Sequence, residues 1–163
     1  MGRYFRMSKM FNKRSPQDFG LTISAGNAVI DPRDGTIWIF APSYDFGWGK
    51  ENGFYKLPEL SFPELISLIG SADNEEDLYG AAAFVLDRHT DALLEYCEQL
   101  LSQSDRLPEF RHLAKVLKLQ KPLNRCAIVG KRIEQIDADN LRWKAVADAA
   151  TQLLPRKSRK HRP

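Results

Sequence analysis

Between Phe19 and Pro42 the chain alternates with a period of two, in short runs of β-branched and aromatic residues separated by turn formers. LTIS (21–24), NAVID (27–31) and TIWIF (36–40) are the strands this pattern predicts. DPRDG, joining the last two, reads as a hairpin connection, because Pro32 fixes φ and Gly35 can adopt φ > 0. In TIWIF, Ile37 and Ile39 lie opposite Trp38 and Phe40. Both faces are therefore apolar, and the strand is expected to be covered on both sides, by helices on at least one.

After Pro58 the period lengthens to about 3.6. Ser61 and Glu64 have capping-box spacing, and Leu65, Ile66, Leu68 and Ile69 carry a short helix to Gly70. A second helix is expected from Asp73 or Asn74 to Arg88, with Glu75, Glu76 and Asp77 at the positive end of its dipole and Leu78, Ala81, Ala82, Val85 and Leu86 as its buried stripe. Thr90 opens a third, TDALLEYCEQLLSQ, whose Cys97 shares a face with leucines and reads as a core residue. PEFRHLAKVLKL is a fourth, with Pro108 in its first turn and Phe110, Leu113, Ala114 and Leu117 on one side. Gly130 interrupts the helical pattern of NRCAIVGKRIEQI. A last helix is expected from about Asp137–Asp139 to Pro155, burying Leu141, Ala145, Val146, Ala149 and Leu153.

Strands followed by helices give an α+β chain: a small N-terminal antiparallel β-sheet, then five or six α-helices packed as antiparallel hairpins, 73–88 with 90–104 and 107–120 with the helix after it. The expected organisation is a basic N-terminal extension over 1–18, a single α+β domain over 19–154 and a disordered basic tail over 155–163. A length of 163 residues suits one domain with a real core. No apolar run has the length of a signal peptide or a membrane span, so a cytoplasmic protein without membrane contact is expected.

The net charge of +3 conceals segregation. Residues 1–30 carry +4, residues 31–110 carry −11 and residues 111–163 carry +10. An acidic middle steers basic partners. The five cations of RKSRKHRP could bind nucleic acid weakly and without sequence preference.

No familiar catalytic pattern is present. In SYDFGWGKENGFYKLP (43–58), Gly47, Gly49, Gly53 and Lys50 lack both phosphate-loop and dinucleotide spacing. DRHTD (87–91) reads as the end of one helix and the start of the next rather than as metal ligands. Cys97 and Cys126 form no CxxC, and neither GxSxG nor SxxK occurs. The expectation is a protein that is not an enzyme, with no catalytic, cofactor or metal residues.

FGWGKENGFYKLPELSFPELISLIG followed by DLYGAAAFVLDRHTDALLEYCEQLL, an aromatic and glycine-rich segment running into helical hairpins, resembles bacterial immunity proteins of contact-dependent inhibition and related polymorphic toxin systems. The likeness is one of organisation and covers residues 19–154. It implies a protein that binds and neutralises one cognate toxin, often a nuclease with a basic groove. The candidate partner-binding residues are Trp48, Phe54 and Tyr55 as outward-facing anchors, with Asp45, Glu51, Glu75, Glu76 and Asp77 supplying electrostatic steering. The alternative is a small nucleic-acid-associated protein using its basic termini.

Overall fold

A computed structural model describes residues 2–7, 15–24, 29–45, 50–120 and 128–154, with Lys50, Glu51 and Asn52 described as backbone only. The chain divides into two compact units, residues 1–89 and 90–163. Among the described residues the architecture is a five-stranded antiparallel sheet followed by five α-helices, the α+β class expected.

In the first unit the strands are β1 (Phe5–Met7), β2 (Thr22–Ile23), β3 (Val29–Ile30), β4 (Ile37–Asp45) and β5 (Lys50–Lys56), in the order β1-β5-β4-β3-β2. The DPRDG connection forms as expected. The Gly35 N–H donates to the Asp31 carbonyl at 2.9 Å with Gly35 at φ 70°, and Ile30 pairs with Ile37. Two strands exceed the expectation. Residues 43–58 do not merely link sheet to helix: they supply the end of β4 and all of β5. The segment read as a basic extension supplies β1, which pairs Phe5 with Tyr55 and Met7 with Gly53. Between the pairs Ala41–Gly53 and Tyr44–Glu51, β4 spends one residue more than β5. This bulge contains Pro42, whose missing N–H would otherwise leave a gap in the ladder.

The two sheet faces are covered differently. Phe5 and Tyr55 meet Phe84 of α2 (Glu75–Arg88) at ring-centroid distances of 5.5 and 4.6 Å, both edge to face. Gly80 lets the helix come this close, since a Cβ there would stand 2.1 Å from the Phe5 ring. The buried surface of α2 therefore differs from the expected stripe: Asp77 and the whole run Gly80–Val85 are buried, while Leu78 and Leu86 are half-buried. On the opposite face Phe19, Leu21, Val29, Trp38 and Phe54 form a second apolar cluster. Coverage of β4 is partial: Trp38 and Ala41 are buried, but Ile37, Ile39 and Phe40 are exposed. α1 (Phe62–Ser71) packs on α2 and is capped as expected, the Ser61 N–H donating to the Glu64 carboxylate at 2.8 Å.

The second unit holds α3 (Thr90–Ser102), α4 (Leu107–Leu117) and α5 (Ile133–Leu153), with α3 packed on both α4 and α5. Leu93, Leu94, Cys97 and Leu100 are buried, so Cys97 is a core residue as expected. α5 corrects the expectation. It starts before Asp137 and buries Trp143, Val146 and Ala150, while Leu141 is 70 % exposed. The indole needs the inward face, and a helix that buries Trp143 turns Leu141 and Ala145 outward. Because α2 and α3 belong to different units, the helical pairing 73–88 with 90–104 spans the boundary between them. Cys126 and the tail 155–163 lie outside the described residues.

Candidate functional site

The eight sequence-predicted residues separate into three groups. Trp48 lies outside the described residues. Phe54 and Tyr55 are only 1 % and 6 % exposed, which overturns their reading as outward anchors. β5 lies between β1 and β4, so its alternate side chains enter the two apolar layers: Phe54 meets Phe19 at 5.4 Å, and Tyr55 meets Phe84. Asp45 is half-buried where β4 pairs with β5 at Lys50, and Glu51 pairs across from Tyr44.

The third group sits at the start of α2. Glu75 is exposed, Glu76 is half-buried, and Asp77 is buried. Asp77 therefore does not steer a partner. Its carboxylate accepts the backbone N–H groups of Arg3, Tyr4 and Phe5, each at 2.8 Å, and the Asn74 side-chain amide at 2.8 Å. The Gly2 N–H donates to the Glu76 carboxylate. Asn74 in turn caps the helix by accepting from the Asp77 N–H at 2.8 Å. This acidic run holds the first strand in place.

A second buried carboxylate, Asp31, organises the other face. It accepts from the Arg6 guanidinium at 2.8 Å and from Arg33 at 2.6 Å, and the Arg33 backbone N–H donates to it at 3.0 Å. Arg6 is itself buried. It stacks 4.6 Å from the centroid of the Trp38 ring and donates to the Phe19 carbonyl at 2.9 Å. The Arg33 hydrogen bonds, opposed by burial, hold the Asp31 carboxyl well below the usual carboxylate range. The sequence reading missed Arg6, although Phe5-Arg6-Met7 has strand-like alternation. Clustered positive charge concealed that pattern.

The first unit also exposes an apolar row. Ile30 pairs with Ile37, and the Leu57 N–H donates to the Ile37 carbonyl at 3.2 Å, so these three side chains form a row across one sheet face, with Ile39 in the next row. Ile37, Ile39 and Leu57 are 46 %, 40 % and 36 % exposed, and Ile30 is half-buried. A shallow cleft of about 300 Å³ lies apart from them between Arg3, Tyr4, Leu60 and the α1 residues Glu64, Ser67 and Ser71. His89 ends α2 and Thr90 begins α3, the helix-end arrangement expected of DRHTD. Among the described residues no three His, Cys, Asp or Glu side chains converge to hold a metal, and no helix is long and apolar enough to cross a membrane.

Compared with protein-family models, curated proteins and solved structures, the chain matches none.

Proposed function

We propose that residues 1–89 are a protein-binding module and that the chain is a non-enzymatic inhibitor of the immunity type, acting in the bacterial cytoplasm on a basic toxin. The observation that supports this most is the apolar row Ile30, Ile37 and Leu57 with Ile39 beside it, left exposed on a folded sheet. Contiguous apolar surface of this kind marks contact sites more often than scattered single residues do. The unit carries 12 acids against nine bases, so it would attract a basic partner, while the aliphatic row would supply the desolvated centre that charges alone do not. The site thus moves from Phe54 and Tyr55 to the neighbouring strand. Asp45, Glu51 and Glu75 keep the steering role.

The test is capture of a partner from the native host by the full chain, then titration of Ile37→Asp/Ile39→Asp against it. The double variant should lose affinity by about 30-fold or more, the equivalent of about 2 kcal/mol, with an unchanged circular dichroism spectrum. An unchanged affinity would refute the site, and turnover of a substrate by the purified chain would refute the class.

A further inference from the structure

α5 is held by different means along its length. Trp143, Val146 and Ala150 are buried and dock its C-terminal half in the apolar interior of the second unit. From residue 128 to residue 142, by contrast, no residue is buried. Ile128, Val129, Ile133 and Leu141 in this stretch are all more than half exposed, and Ile136 is half-buried.

Charge ties the stretch to α3. Lys131, two residues before the helix, lies 2.7 Å from Asp91 in the first turn of α3 and 2.6 Å from Asp139. Arg142 lies 3.0 Å from Asp139 and engages both carboxylate oxygens of Glu98, through Nε at 2.8 Å and Nη2 at 2.6 Å. The contacts run in one chain from Asp91 through Lys131, Asp139 and Arg142 to Glu98. Both links to α3 are open to water, the Asp91 and Glu98 side chains being 52 % and 40 % exposed. These two acids stand two turns apart on one side of α3, with Leu94, only 1 % exposed, between them.

We propose that residues 128–142 are a strap that opens and closes over this side of α3 in response to ionic strength, hinged where Trp143 anchors the rest of α5. Water-exposed ion pairs contribute little each and are screened by salt, whereas the apolar contacts of Trp143, Val146 and Ala150 are not weakened by it. The opening that costs least in the second unit is then a local one that stops at Trp143. It bares Leu94 and leaves the Asp91 and Glu98 carboxylates without their cations. The strap is a property of the second unit and is separate from the apolar row of the first.

The test is hydrogen–deuterium exchange of the full chain, read by mass spectrometry in peptides covering 131–142 and 144–153 at 50 mM and 1 M NaCl. Residues 131–142 should exchange about tenfold faster in 1 M NaCl, while 144–153 and α4 change by less than about twofold. Lys131→Met and Glu98→Gln should each speed exchange over 131–142 by about threefold at 50 mM NaCl, and Lys131→Arg should exchange as the parent does. Simple fraying of a helix end would be indifferent to Glu98, which belongs to another helix. The proposal fails if salt leaves 131–142 unchanged or if 144–153 speeds up to the same extent. It fails equally if Glu98→Gln or Lys131→Met exchanges as the parent does, or if Lys131→Arg behaves like Lys131→Met.

Discussion

Among the described residues, buried charged side chains belong to the first unit alone. In residues 1–89, Asp31 and Asp77 are buried, Asp31 accepting from the buried Arg6 guanidinium and Asp77 from three backbone N–H groups. In residues 90–163 the pairs Arg142–Glu98 and Lys131–Asp91 are partly exposed, with Arg142 and Glu98 side chains 39 % and 40 % exposed. Water can replace a partner lost from the second arrangement but not from the first. A buried carboxylate therefore determines where a strand goes, while a surface one adjusts stability by tenths of a kcal/mol. The apolar interior of the helical unit, built around Leu93, Leu94, Leu100, Phe110 and Trp143, needs no such device.

Removing Asp77 should break this contrast most sharply. Asp77→Ala leaves three backbone N–H groups without their acceptor and should cost about 3–5 kcal/mol in urea unfolding. A loss below about 1 kcal/mol would mean that water satisfies those amides and that the contrast is unfounded. Next in size, Arg6→Met removes the buried partner of Asp31 and the ring stack on Trp38 and should cost about 3 kcal/mol. Arg33 still reaches the carboxylate, so a smaller loss than for Asp77→Ala is expected.

Acid titration sharpens the same point. The folded-state pKa of Asp31 lies below its value in the unfolded chain, about 3.9, so its contribution is complete above that pH and is lost as the pH falls below about 4. The urea midpoints of the parent and Asp31→Asn should therefore differ at pH 7 and converge in acid. A constant gap would show that Asp31 acts through shape alone. The smallest effect is expected from Arg142→Ala, about 0.5–1 kcal/mol at low salt, and 1 M NaCl should erase it because exposed pairs are screened. Persistence of the difference in high salt would move this pair into the same category as Asp31.

The sequence revealed the helices wherever period and cap agreed. α1 to α4 lie within about two residues of their expected bounds, each opened by a readable signal such as Ser61 with Glu64, or Pro108. α5 was misplaced because Arg142 and Lys144 flank Trp143 and mask the only large ring on its buried side. β5 escaped notice because its glycine and polar residues resemble a loop, and β1 because of its positive charge. The same features misdirected the candidate site. Phe54 and Tyr55 look like a binding motif in a loop, but once their segment is an interior strand both rings are core. The exposed row on β4 could not be read from TIWIF, where both faces are equally apolar. Ile39 pairs with Tyr55, so the row lies on the same face as the rings that meet Phe84, at the part of that face left open.

The Asp77 clamp also has a consequence for the time course of folding. Its hydrogen bonds join residues 72 to 74 positions apart, so the earliest-made strand waits for nearly the whole unit before it can settle. Closing so long a loop adds only about 0.6 kcal/mol over one half its length, yet pairings this distant are what slow a domain's formation. On the ribosome, Phe5 and Met7 would remain uncovered until α2 emerges, while α3 and α4 can form from neighbours. Nascent chains stalled before residue 77 should thus be the ones most dependent on chaperones.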